Sequence, residues 1–133
     1  MEILRASHRG RLDQEIILWL TTVRPNGQPQ TLPVWFVVDG SELLVWSKEG
    51  ARTKNLAGNS LVSAHVSDNG TGGSILSIEG EAVIETGLGP ASLHPGYVKR
   101  YQRRMDKSRW SWEWFDTVYK VPLRITPRKV RTG

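Results

Sequence analysis

Two glycine turns set the architecture of the first third of the chain. Asn26-Gly27 and Asp39-Gly40 accept positive φ at little cost, and each lies between short runs rich in β-branched and aromatic residues. The runs cover residues 20–23, 30–38 and 42–47. Three strands joined by two tight turns make an antiparallel meander. Pro33 interrupts the second run and brings no N–H to a ladder, so this stretch is expected at a sheet edge, a bulge or a barrel rim.

The same reading continues along the chain. A short helix is expected after Arg9, with Leu12, Ile16 and Leu20 on one side, running into a strand near Trp19. Residues 50–58 read as a helix closed by Gly58. A fourth strand follows over 61–66, then a flexible loop at 68–73. A long fifth strand spans 74–86, with Gly80 marking a bulge or bend. Residues 96–107 form a helix after Pro95. Residues 110–119 fit a helix, because Trp110 and Trp114 share a helical face, although Trp110, Trp112 and Trp114 also alternate like a strand. The last strand runs over 120–125 and ends near Pro127. Six strands in hairpins with few helices imply a small closed or half-closed barrel. A chain of 133 residues, 38% apolar, is long enough for one compact core and too short for two ordinary domains, so residues 1–133 are read as one domain.

Several chemistries are excluded or unsupported. The chain has no cysteine, so disulfides, thiolate metal sites, iron–sulfur clusters and cysteine nucleophiles are ruled out. His8, His65 and His94 lack metal-ligand spacing, and no metal site is expected. His65 reads as a strand residue with a satisfied ring nitrogen. There is no Gly-x-Ser-x-Gly elbow. The longest apolar run, residues 32–38, is too short to span a membrane. Charges at Glu2, Arg5, Arg9, Arg11 and Asp13 leave no apolar stretch for a secretory signal, so a cytoplasmic protein with no membrane partner is expected. The net charge of +5 attracts polyanions in general.

Local pattern narrows that attraction. Around Ser47-Lys48-Glu49-Gly50-Ala51-Arg52-Thr53-Lys54-Asn55 a strand ends, a glycine turns the chain and a short helix starts. Free N–H groups at a helix start favour an anion. Ser47 and Thr53 add hydroxyls, and Lys48, Arg52 and Lys54 add positive charge, Arg with two parallel donors suited to phosphate. An ordinary solvated basic turn fits the same residues. The glycine, lysine and threonine spacing of a Walker loop is absent. Trp35 and Trp46, on neighbouring strands, are either flanks for a planar ring or core filling. Six positive charges over 99–109, with Tyr97, Tyr101 and Trp110 among them, suggest either a nucleic-acid surface or a solvated helix face. The solvated face is the reading taken, with no nucleic-acid partner.

Several segments together resemble the pyridoxamine 5′-phosphate oxidase-like split-barrel superfamily, in particular its coenzyme F420-dependent branch. They are Leu20-Thr21-Thr22-Val23-Arg24-Pro25-Asn26-Gly27, Pro33-Val34-Trp35-Phe36-Val37 and the stretch from Ser47 to Leu56 with its Arg-x-Lys-Asn-Leu ending. Ile78-Glu79-Gly80-Glu81-Ala82 and Val121-Pro122-Leu123-Arg124-Ile125-Thr126-Pro127 complete the match. The segment at Trp110, Trp112 and Trp114 has no counterpart in it. The resemblance implies a mainly β, six-stranded antiparallel split barrel with a few short helices, dimerising around two cofactor sites. It implies a flavin-type ring held at Pro33, Val34 and Trp35, and a cofactor phosphate at Ser47, Lys48, Arg52, Thr53 and Lys54, with Asn55 in the same motif. It further implies an oxidoreductase that moves a hydride between reduced coenzyme F420 and a small conjugated organic acceptor. An FMN-dependent oxidase or reductase, and a non-catalytic cofactor- or haem-binding protein, are the alternatives. No catalytic side chain is identified.

Overall fold

A computed structural model describes residues 3–133. In chain order, α1 (Ala6–Gln14) precedes β1 (Leu18–Val23), β2 (Pro29–Val34), β3 (Val37–Asp39) and β4 (Glu42–Ser47). Then come α2 (Ala51–Gly58), β5 (Leu61–His65) and β6 (Leu76–Ile84). Two short 3-10 turns lead into α3 (Pro95–Ser108), α4 (Trp112–Val118) and β7 (Val121–Thr132). The strands form one antiparallel sheet in the order β2-β1-β5-β6-β7-β4-β3. Among the described residues, no helix is long and apolar enough to cross a membrane.

That order carries a strong geometric constraint. β2 lies at one edge of the sheet and β3 at the other, yet only Trp35 and Phe36 separate them in sequence. In a flat sheet, six inter-strand steps would hold the two edges roughly 29 Å apart. The three Cα steps from Val34 to Val37 reach about 11 Å at most. The sheet must therefore curl until its edges meet, giving a half-barrel split at residues 35–36. This also corrects the expected count of six strands to seven. The single strand expected over residues 30–38 is two, because the chain leaves one edge at Val34 and joins the other at Val37. Pro33 does sit in an edge strand, opposite Trp19, where its missing N–H costs no ladder bond.

The seam is held by one side chain. The Phe36 N–H donates to the hydroxyl of Tyr101 at 2.8 Å, and that hydroxyl reaches the carbonyls of Ile16 at 2.8 Å and Phe36 at 3.0 Å. Its single proton serves one of these carbonyls at a time. Arg100, next in the helix, donates to the carbonyls of Asp13 (3.0 Å), Leu12 (3.1 Å) and Glu15, and its guanidinium lies over the Phe36 ring. These contacts bind α3 to the end of α1 and to the seam.

Two apolar cores share the sheet. One fills the half-barrel with Leu18, Leu20, Phe36, Leu43, Val45, Ile78, Leu123 and Ile125, among others. The second lies between the outer face of β3–β4 and helices α3 and α4, and contains Leu44, Trp46, Tyr97, Tyr101, Met105 and Phe115. Strand β4 serves both. Leu43 and Val45 point one way and Leu44 and Trp46 the other, as the two-residue strand period requires. In α3, Tyr97, Tyr101 and Met105 recur every fourth residue and are buried, whereas Lys99, Arg103, Arg104 and Lys107 are exposed. The interleaved tyrosines of the basic segment thus face inward, and its charges other than Arg100 form a solvated helix face.

Other boundaries differ from expectation for local reasons. The first helix covers Ala6–Gln14 and stops before Ile16, so Leu12 alone is its buried residue. The last strand passes Pro127 and continues to Thr132. It does so because the β6–β7 register shifts between Glu79 and Gly80, which leaves Arg128 unpaired and sets Gly80 opposite Pro127. This is the bulge expected at Gly80. A Cβ there would strike the carbonyl oxygen of Thr126 and lie 3.1 Å from the Pro127 Cα.

Gly80→Ala should therefore lose about 1–3 kcal/mol in urea denaturation through overpacking; an unchanged midpoint would show that the bulge has room. Tyr101→Phe should lose about 1–3 kcal/mol by leaving the buried Phe36 N–H without an acceptor. A loss below about 0.5 kcal/mol, the scale of a neutral surface change, would show that the seam is held without that hydroxyl.

Candidate functional site

The bend after β4 and the second core meet at a cleft of about 440 Å³. One wall is Leu32, Pro33, Val34 and Trp35, from the seam. The opposite side is Lys48, Glu49, Gly50, Ala51 and Arg52, from the bend and the first turn of α2. Ile17, Trp46, Tyr97, Trp110, Phe115 and Tyr119 complete it. The split of the barrel places the first wall, the end of β4 places the second, and α3 with α4 supplies the aromatic remainder.

Trp35 is half-buried and ordered by its neighbours. Its ring stacks on Tyr101 with centroids 4.4 Å apart and planes within 2°, and on Phe115 at 5.7 Å and 14°. Such offset-stacked pairs add about 0.5–1.5 kcal/mol beyond area burial. Trp46 is 3% exposed; its indole N–H donates to the Gly89 carbonyl at 2.9 Å and its ring meets Tyr97 edge-on at 4.9 Å. Trp46 thus lines the cleft from within the second core, and the two indoles do not form a matched pair around an open slot.

The polar side is built around Arg52. Its guanidinium Nη1 donates to Ser47 Oγ at 2.8 Å, and Ser47 in turn donates to the Lys48 carbonyl at 2.9 Å. Burial pulls Arg52 below the ordinary arginine value, opposed by the nearby Tyr119. Lys48 lies over the Tyr119 ring, 5.2 Å from its centroid. Among the described residues neither cation has a carboxylate within ion-pair distance. Glu49 is turned to Lys120 at 3.7 Å. Gly50, Ala51 and Arg52 also bring the start of α2 to the cleft, where first-turn N–H groups lack intrahelical acceptors and the dipole favours negative charge. A partly desolvated guanidinium without a counter-ion, beside a helix start, has the chemistry that attracts an anion.

The nine residues singled out in the sequence divide by position. Pro33, Val34, Trp35, Lys48 and Arg52 line the cleft. Ser47 lies behind Arg52 and orients it. Thr53 is turned to its own helix start, accepting from the Gly50 N–H at 3.1 Å and donating to the Gly50 carbonyl at 3.0 Å. Asn55 is buried and donates to Thr22 Oγ1 (3.0 Å) and Gln30 Oε1 (3.2 Å), tying α2 to β1 and β2. Lys54 is exposed and does not line the cleft.

Sequence reasoning did not place Tyr97, Phe115 and Tyr119 here. The signal for Tyr97 was the four-residue spacing of Tyr97, Tyr101 and Met105 within a charged helix. His94 starts that helix by accepting the Tyr97 N–H at 3.1 Å. Nothing in the spacing of Phe115 and Tyr119 shows that α4 folds back over the bend.

The Tyr97 hydroxyl is the one buried side-chain oxygen or nitrogen among the described residues with no hydrogen-bond partner. Burial, with Tyr101 and Tyr119 nearby, pushes its pKa well up, so it keeps its proton. The cleft thus combines two cations that have no carboxylate partner with a set of aromatic side chains. That donor set fits a planar conjugated ring bearing a phosphate.

Comparison with known proteins identifies the fold and the family. No curated protein matches the sequence. A conserved hypothetical protein of Mycobacterium tuberculosis has a solved structure with a TM-score of 0.73 and 24% identity, covering 98% of this chain and 85% of its own. An F420 reductase has a TM-score of 0.70 and 20% identity, covering 94% and 96%. The haem storage protein HutZ of Vibrio cholerae has a TM-score of 0.62 and 16% identity, covering 99% and 95%. Identities this low show a shared fold. The family model for pyridoxamine 5′-phosphate oxidase matches residues 4–119, most of the chain. With that match over most of the chain, including the seam and the cleft, the chain belongs to the pyridoxamine 5′-phosphate oxidase family.

Proposed function

We propose that this protein is an oxidoreductase that binds coenzyme F420 in the cleft and reduces a small conjugated organic acceptor, working as a homodimer. The observation that carries the proposal is the joining, in one cleft, of Arg52 and Lys48 without carboxylate partners to the stacked aromatic wall around Trp35. Arg52, Lys48 and the start of α2 would hold the coenzyme phosphate, with Ser47 keeping Arg52 in place. Pro33, Val34 and Trp35 would flank the ring. The coenzyme, when bound, supplies the hydride chemistry. The chain's contribution is binding, orientation and exclusion of water by the aromatic residues of α3 and α4. No nucleophile is needed for this, in keeping with a cleft lined mainly by apolar and aromatic groups.

One feature supports a deazaflavin or flavin over haem, despite the fold shared with a haem storage protein. The lining has no histidine, cysteine or methionine to ligate iron, and of its two tyrosines Tyr97 is fully buried and Tyr119 lies under Lys48. The preference for F420 over FMN rests on charge. The net charge is +5, and the exposed Lys54 adds a second cation on α2 close in sequence to Arg52. This suits a coenzyme whose oligoglutamate tail carries carboxylates beyond the phosphate.

Titration with each coenzyme, followed by absorbance and fluorescence, tests the proposal. F420 should bind, and Arg52→Ala should weaken it roughly tenfold to a hundredfold, the value of one or two charge-assisted hydrogen bonds at about 1.5–3 kcal/mol. FMN binding without F420 binding would replace the coenzyme assignment. Unchanged affinity in Arg52→Ala would move the phosphate elsewhere.

A further inference from the structure

Among the described residues, Trp110 and Trp114 are the large aromatic side chains that stand open to solvent, at 38% and 41% exposure. Leaving an indole exposed forfeits much of the apolar burial that so large a ring offers. The fold nevertheless fixes Trp110 at the surface with a built turn. Helix α3 ends with Arg109 in the left-handed region, at φ 58° and ψ 37°, where glycine is the usual residue. The Arg109 backbone N–H donates to the Asp106 carbonyl at 3.1 Å, and the Trp110 backbone N–H donates to the Met105 carbonyl at 2.9 Å. This pair of bonds closes the helix and sets where Trp110 emerges. Ser111 then starts α4 by accepting the Trp114 backbone N–H at 3.0 Å.

The two indoles continue the aromatic side of the cleft outward. Trp110 lines it. Its centroid lies 6.0 Å from Trp35 and 5.0 Å from Trp114, and Trp114 lies 6.2 Å from Tyr119, the ring that Lys48 covers. These rings form an arc from the seam to the basic bend. They differ in what they have to spare. Trp35 already stacks on Tyr101 and Phe115, and Trp46 is buried with its N–H committed. Trp110 meets Trp35 and Trp114 at tilts of 39° and 44°, so neither is stacked on it. An exposed indole with no stacked partner favours a flat ring. Because it borders a concave cavity, the occupant that fits is a small molecule. We infer that Trp110, braced by Trp114, binds an uncharged planar aromatic compound at the mouth of the cleft by stacking on its ring. The role of that compound rests on the coenzyme reading above and deepens it. With the coenzyme phosphate at Arg52 and Lys48 and its ring along Trp35, the compound at Trp110 is the acceptor, and aromatic acceptors are preferred to open-chain ones. An acidic acceptor would compete with the phosphate for the same two cations, and a cationic one would be repelled by them.

trans-Cinnamamide probes this site. 3-Cyclohexylacrylamide is its control, with the same conjugated amide on a saturated, puckered ring. Calorimetric titration, with and without F420, measures both. Cinnamamide should bind more tightly than the control. Trp110→Ala should weaken cinnamamide roughly two- to tenfold, the value of one stacked aromatic pair, and leave F420 affinity unchanged. Trp110→Phe should recover most of that loss. Trp110→Leu, which keeps an apolar side chain without a flat face, carries the same test if Trp110→Ala does not fold. Equal cinnamamide affinity in wild type and variant, or no preference over the control, overturns the inference and leaves the coenzyme reading standing. A variant that loses F420 affinity and keeps cinnamamide affinity also overturns it, because the indole would then belong to the coenzyme. A change of oligomeric state in sedimentation, with cinnamamide binding unchanged, overturns it by making the indoles a contact between copies. If neither F420 nor FMN binds while cinnamamide binding still depends on Trp110, the coenzyme reading fails and the ring site stands.

Discussion

Where the chain passes from one edge of the sheet to the other, at Trp35 and Phe36, no strand is available to pair with it, and the backbone there relies on the hydroxyl of Tyr101. Sheet order forces this crossing, because β2 and β3 are adjacent in sequence and lie at opposite edges. The same helix that closes the seam presents its next inward turn, Tyr97, to the cleft. The ring of Tyr101 also fixes the plane of Trp35 by stacking. Fold closure and the shape of the site therefore depend on one tyrosine, and a change that loosens the seam would also loosen the aromatic wall.

Strand β4 links that wall to the charged end. Its alternate residues feed two cores, and its last residue, Ser47, holds Arg52 across the bend. Asn55 then anchors α2 to β1 and β2, so the helix start that faces the cleft is fixed to the half-barrel on its far side. The guanidinium loses part of its hydration without gaining a carboxylate. Such a group interacts more strongly with an incoming anion than a fully solvated lysine does, because less water screens the contact. The fold thus uses rigid elements to hold an electrostatic demand that it leaves unmet.

Much of this was legible in the sequence, and what was not has physical causes. Turn residues such as Asn26-Gly27 and Asp39-Gly40 act locally, so the two hairpins could be read from them, but the single three-strand meander expected from them is instead two hairpins at opposite edges of the sheet. Gly80 was legible as a bulge because a glycine inside a strand has few other uses. The break at Trp35 and Phe36 was not legible, since it is imposed by strand order across the whole sheet and leaves no local mark beyond Pro33. The continuation of β7 past Pro127 was hidden for a related reason: the bulge that accommodates the proline is formed with β6, over forty residues earlier. Within the site, the basic bend announced itself by residue type. The structural parts taken by Asn55 and Thr53 did not, because an amide or hydroxyl in a basic turn looks alike whether it binds a ligand or its own helix. Tyr97 lay in a segment whose positive charges drew attention outward, while the four-residue spacing pointed in.

The most direct measurement of the central idea, that the basic bend and the aromatic wall are two ends of one coenzyme site, is a crystal structure of the protein soaked with coenzyme F420. The expected map shows the phosphate against Arg52 and Lys48 and the ring along Trp35. A coenzyme bound with its phosphate away from Arg52, or a cleft that stays empty while the coenzyme binds on another face, would contradict it.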